Sequence, residues 1–402
     1  MQSERKLTLA LAVCALLPSM PVSAVSLDMT AQFRPDPSKP LHNVFQNTTP
    51  QGGYCKDHPN YCQEGVFSIG VPIRFRSIAP IQPLHDERQG PMFRVPSSWR
   101  ELTVVNDVTG ETETVKMRVT GIGAAYTIKD PLPEDVWQSS WVYAPSPCQY
   151  GGVGYGSAHY YAFFWRVPPD AGVCAKQAQK QIPESLGFAY QDVGFSYELI
   201  TPQPLKMSAG TYRGTLSYSV GPFKDFDMGN VMLPDDDSID LNFALSVEHT
   251  LKVDLPPDGD KVLLVPEGGW QGWLNAGRKP TRIFRDQTFH ISASSRFKMY
   301  LDCQFGPGTS CYLNDGNNVF VPLVISVSLP GGLMDSSGKP VSRQELKVGE
   351  AYGVLIQPSQ YVDRKPGTLH FELHKQAIDA VLLPQTGKRY RGTVGVIWDA
   401  EV

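Results

Sequence analysis

The chain has 402 residues, with 36 Lys and Arg against 40 Asp and Glu, a formal net charge of −4 and 19% charged residues. No basic stripe is present to neutralise phosphates, which argues against a nucleic-acid partner. The length suits two or three domains, and 36 Gly with 34 Pro suit many short strands joined by turns.

At the N-terminus Arg5 and Lys6 precede the apolar run LTLALAVCALL, and VSA places small residues before a cut after Ala24. Residues 1–24 read as a secretory signal peptide. A lipoprotein site at Cys14 is disfavoured by Val13 and by the apolar run that continues past it. No later stretch approaches the roughly 20 apolar residues that a membrane span needs. The exported part keeps Cys55, Cys62, Cys148, Cys174, Cys303 and Cys311. An even count in an exported chain points to disulfides, and although six cysteines allow 15 connectivities, the short spacings favour neighbour pairing. Without a CxxC or HxxxH pattern, no metal and no cofactor are expected.

Alternation of apolar and polar residues recurs in VFSIGVPIRF (66–75), LNFALSVEHTLKVDL (241–255), VFVPLVISVSL (319–329) and the closing residues. Helical periodicity is confined to CAKQAQKQI (174–182) and HKQAIDAVL (374–382). The expected fold is all-β, built of sandwiches. Between 221 and 240 the pattern lapses into GPFKDFDMGNVMLPDDDSID, the best place for a boundary, which gives an N-terminal domain over 25–235 and a C-terminal one over 236–402. Tyr-Arg-Gly-Thr occurs at 212–215 and again at 390–393, each time after a turn, so the halves read as two versions of one architecture. The acidic run Asp235, Asp236, Asp237 and Asp240 lacks calcium-loop spacing and reads as a solvated linker.

In the closing residues Tyr390, Gly392, Val394, Val396, Trp398, Ala400 and Val402 share one parity and form an apolar face, whereas the opposite parity is mostly polar. A final strand at a sheet edge exposes backbone groups and core, a liability that a strand from another chain can cover. An exported two-domain chain that closes on this pattern resembles the tip adhesins of chaperone-usher fimbriae. The resemblance implies two immunoglobulin-like β-sandwich domains in tandem, the C-terminal one an incomplete pilin domain. It implies a periplasmic fimbrial chaperone, an outer-membrane usher and an adjacent fimbrial subunit as partners, and a place at the fimbrial tip on the bacterial surface. Tyr390 and Gly392 match the start of the family's closing strand. Val394, Val396 and Trp398 match its chaperone-paired face, and the carboxylate of Val402 the group anchored by basic chaperone residues. Glu401 departs from the Tyr that many subunits carry next to last, and the Cys303 to Cys311 pair departs from the usual early-strand disulfide.

Receptor contacts for a host glycan or surface protein are expected in SSWVYAPSPCQYGGVGYGSAHYYAFFWRV (139–167). HYYAFFWRV reads as a core strand, which leaves Trp141, Tyr143, Tyr150, Tyr155 and His159 as loop aromatics able to offer flat faces to a sugar. A second candidate loop, NTTPQGGYCKDHPNYC (47–62), presents Tyr54, Lys56, Asp57, His58 and Tyr61 from a ring closed by Cys55 and Cys62. Trp270 and Trp273 fall in the second domain and are assigned to packing. No GxSxG, HExxH or phosphate loop is present, so the chain is read as a non-enzyme. A carboxylate pair of a β-sandwich glycosidase has no fixed spacing and stands as the rival class. A shaft or adaptor subunit is the other alternative. After Val25, Leu27 and Met29 the apolar alternation is taken to fail, which favours a tip subunit over one that donates a strand.

Overall fold

The structure is a computed structural model and describes residues 24–133, 135–277, 279–382 and 389–400. Residues 1–23 of the expected signal peptide, Glu401 and Val402 lie outside these residues. Alternation in the sequence becomes half-buried strand nearly everywhere, giving an all-β chain organised around two separate hydrophobic cores.

The first unit, which holds the first core, comprises β1 (Val25–Phe33), the short helix α1 (Tyr54–Asp57), β2 (Phe67–Gly70), β3 (Arg100–Asn106), β4 (Thr112–Thr127), β5 (Gln149–Ser157), β6 (Tyr160–Arg166), β7 (Ala189–Ile200), β8 (Gly210–Ser219) and β9 (Ser238–Val247). Together with three shorter strands, the strands form one continuous hydrogen-bonded sheet of 12 among the described residues, not two separate sheets. The 16-residue β4 makes this possible, because its first half pairs with β3 and its second half with β6, while β7 runs along its other edge.

The second core lies between two sheets. One contains β10 (Leu251–Asp254), β11 (Val265–Pro266), β12 (Ile283–Ala293), β14 (Cys311–Asn314), β15 (Phe320–Ser328) and β17 (Val362–Leu373); the other contains β13 (Phe297–Cys303), β16 (Val354–Pro358) and β18 (Val394–Ala400). Helix α2 (Gly269–Ala276) follows β11, and α3 (Lys375–Val381) follows β17.

Several expectations change. Residues 221–240 are not a linker: Phe226, Met228, Val231 and Met232 are core, and Asp227 is fully buried, its carboxylate accepting two bonds from the Arg88 guanidinium at 2.8 and 3.1 Å. The chain leaves the first core between Val247 and Leu251, about a dozen residues beyond the 235/236 boundary. The unbroken alternation of 241–255 concealed this, because the break between β9 and β10 at 248–250 passes the chain from one core to the next without disturbing its parity.

The alternation of β1 does not fail after Met29 but continues through Ala31 and Phe33, all buried. β1 lies parallel to β9 over its full length, Val25 opposite Ile239 and Phe33 opposite Val247. CAKQAQKQI is not helical: Cys174–Ala175 pairs with Met92–Phe93, and the segment is pinned by the buried Lys176. HKQAIDAVL does contain α3. The two Tyr-Arg-Gly-Thr copies play different parts. The first lies inside β8, between β3 and β9, with Tyr212 fully buried. The second precedes β18, which starts only at Val394, and its Arg391 exchanges two 2.9 Å backbone bonds with Asn314 of the facing sheet.

Candidate functional site

The disulfides close as the spacings suggested: Cys55 to Cys62, Cys148 to Cys174 and Cys303 to Cys311. The first closes a ring that carries α1, and the structure seats this ring on the tyrosine-rich hairpin β5–β6. The glycines of β5 provide the seat. Gly152 has φ of 96°, and a Cβ there would lie 2.4 Å from the ring of Tyr61. Tyr54 stacks on Phe164 with ring centroids 3.6 Å apart and donates its hydroxyl proton to the carbonyl of Gly151. Burial pushes the Tyr54 phenol up to about 12, against the opposing pull of Arg166, so it stays a donor. His58 packs edge-on against Tyr155 at 6.0 Å.

The two candidate loops thus form one surface. On it Tyr155 (53% exposed), Tyr150, Tyr61 and His159 face solvent, and Tyr143 (67% exposed) stands on the neighbouring 139–143 loop. Trp141 does not belong to it. At 2% exposure its ring packs against Tyr126, Phe163 and Trp165, because the Cys148 to Cys174 disulfide and Lys176 draw its loop into the core. The Lys176 ammonium donates to Ser139 Oγ at 2.9 Å, to the carbonyl of Ser140 at 2.7 Å and to that of Tyr143. Within HYYAFFWRV the buried residues are Phe163, Phe164, Trp165 and Val167, and the first three are buried in succession since the ring loop covers the face of β6 opposite to the main core.

Beside the stack opens a pocket of about 260 Å3 lined by Tyr54, Tyr61, Phe164, Arg166 and the Arg118–Glu198 ion pair. The Arg166 guanidinium donates only to the carbonyl of Tyr61, at 3.2 Å, and has no carboxylate partner among the described residues. Neither the stack nor Arg166 was singled out from sequence. The run of small residues in GGVGYG was the available sign that another segment approaches closely.

The second surface is the closing strand. β18 pairs antiparallel with β13 over seven residues, Val394 opposite Cys303 and Ala400 opposite Phe297, and its other edge has no strand partner among the described residues. Tyr390, Val394, Val396 and Trp398 pack against the second core, as their shared parity requires. Gly392 allows the approach to β14, since a Cβ there would lie 3.1 Å from the carbonyl of Tyr312. The expected fully buried face is instead half-buried: all seven residues of β18 keep intermediate exposure. In the facing sheet β10 and β11 hold only the two ends of β12, at 290–293 and 283–284. Between them residues 285–289 have no strand partner on that edge among the described residues, and Phe289 is nonetheless fully buried.

No protein-family model matches the chain, and no curated protein matches it. Among solved structures the chain is similar to one described as a chaperone-tip adhesin complex vital for CFA/I fimbriae biogenesis, with 11% identity, a TM-score of 0.26 and coverage of 94% of this chain and 97% of that one. It is also similar to the adhesive subunit of CFA/I fimbria of enterotoxigenic Escherichia coli, with 9% identity, a TM-score of 0.23 and coverage of 94% and 98%. A third is the chaperone-tip adhesion subunit pre-assembly complex of archaic chaperone-usher Csu pili from Acinetobacter baumannii, with 10% identity, a TM-score of 0.21 and coverage of 94% and 98%.

Proposed function

We propose that the chain is a fimbrial tip adhesin and not an enzyme. The first unit binds a host surface glycan or protein through the face of Tyr61, Tyr150, Tyr155 and His159, and the second joins the fimbria by taking a strand from its neighbour along β18. The observation that carries this reading is the outer edge of β18, which has no strand partner among the described residues and whose seven residues are all only half-buried. Edge strands of this kind template pairing, and donor-strand addition satisfies the backbone and fills the groove with alternate side chains. A periplasmic chaperone would occupy the same groove before an usher exchanges it for the adjacent subunit. The burial of the apolar residues of β1 against its own unit supports the tip position. An adaptor would not require the large first core or its exposed tyrosines.

Co-expression in the periplasm with a fimbrial chaperone tests the reading. The full-length chain should co-purify one to one, and a chain lacking residues 388–402 should not. A full-length chain that does not co-purify with the chaperone, or a chain lacking residues 388–402 that still does, would sink it.

A further inference from the structure

We propose that the first unit carries a second ligand site, separate from the tyrosine face, which takes the anionic group of an acidic saccharide. It is a cleft of about 510 Å3 whose lining includes Arg94, Arg100, Asp170, Phe223 and Lys224. β8 begins at Gly210 beside the junction with the second unit and ends at Ser219 in this cleft, so the cleft opens at the far end of the first unit.

Its charges are unevenly used. Arg100 is paired with Asp225, and Asp170 accepts the Ser98 hydroxyl at 2.5 Å. Arg94 and Lys224 are exposed, and neither side chain has a carboxylate partner among the described residues. Two cations are therefore available to an incoming anion, in a chain whose net charge is −4. A guanidinium beside an ammonium suits a carboxylate or a sulfate.

The same lining holds an aromatic kept in place at a cost. Phe223 is 70% exposed and has φ of 64°, a left-handed conformation that a bulky residue rarely adopts. Its N–H donates to Asp227 Oδ2 at 2.9 Å, and the Arg88 guanidinium, itself bound to the same carboxylate, lies 3.7 Å from the centre of the ring. Such strain persists only where the surroundings over-determine it, and here it gains no burial for the ring. A prepositioned ring loses little entropy on binding and offers its edge and free face to the apolar side of a pyranose. Asp170, with φ of 55°, is a second left-handed lining residue. Anion and sugar ring together define the ligand.

Calorimetry on the full-length chain at low salt, with four probes, tests the proposal. The probes are a hyaluronan tetrasaccharide bearing carboxylates, a 6-O-sulfated chitotetraose, neutral chitotetraose and sodium sulfate. At least one acidic saccharide should bind at least tenfold more tightly than chitotetraose and than sulfate alone, and which of the two does so identifies the anion. Arg94→Ala with Lys224→Ala should weaken that binding at least tenfold. Phe223→Gly, which relieves the backbone strain, should weaken saccharide binding without lowering the melting temperature. Tyr155→Ala should leave it unchanged, separating this site from the tyrosine face. Failure of both acidic saccharides to bind, equal binding of chitotetraose, sulfate binding as tightly as a saccharide, or binding indifferent to Arg94 and Lys224 would overturn the proposal.

Discussion

Trp398 of β18 packs edge-on against Phe289 of β12, with ring centroids 5.0 Å apart, and so joins the closing strand to the facing sheet. A second contact, to Phe297 at 5.8 Å, holds the same indole to its own sheet. Trp398→Ala should lower stability by about 2 kcal/mol, less than full burial would cost because the indole is only partly covered. Ile397→Ala, on the opposite parity, should cost less than half as much. Urea unfolding of the two variants gives the comparison.

Two aromatics that look alike in the sequence should behave in opposite ways. Trp141→Ala empties a buried site and should cost about 3–5 kcal/mol. Tyr155→Ala should change stability by less than about 0.5 kcal/mol but weaken attachment to receptor-bearing cells. Thermal melts read beside a cell-binding assay separate the two.

The disulfides enclose unequal loops. Chain-entropy arithmetic gives about 3.5 kcal/mol for Cys148 with Cys174, separated by 26 residues, and about 2.5 kcal/mol for Cys55 with Cys62, separated by 7. The double variant Cys148→Ala, Cys174→Ala should therefore be the less stable. The variant Cys55→Ala, Cys62→Ala should keep the first core and lose the ring surface, seen as loss of the Tyr54 to Phe164 contact by NMR.

Acid should weaken the junction between the units. His249 donates from Nε2 to the carbonyl of Met207 at 2.9 Å, and its Nδ1 lies 3.1 Å from Ser294 Oγ. Burial, with a smaller push from Arg296, lowers its pKa against the opposing Met207 carbonyl and Glu111. A histidine lowered in the fold contributes stability above its unfolded value near 6.5 and loses it as pH falls through the folded value. Stability should decline from pH 7 towards pH 5, and His249→Gln should flatten that slope in melts recorded across the range.

The all-β class, the three disulfides, α3 and the apolar parity of the last strand were legible because each rests on local pattern or short spacing. The boundary was not. Residues 221–240 look like a linker since a turn built around a buried Asp227 carries the same Gly, Pro and Asp composition as a solvated one. Nor could alternation tell a strand used within its own unit from one offered to a neighbour, and β1 is the former because β9 lies alongside it. The merging of the Cys55 to Cys62 ring with the β5–β6 hairpin depends on a contact nearly a hundred residues apart, for which the glycines of β5 were the only local trace.

Hydrogen exchange along β18 tests the open groove most directly. In the free full-length chain every second amide of Val394–Ala400, those bonded to β13, should exchange slowly and the intervening ones fast, and addition of a chaperone or donor strand should slow the fast set. Uniform protection of all seven amides in the free chain, unchanged by either addition, would mean that the edge is already covered and would contradict the account.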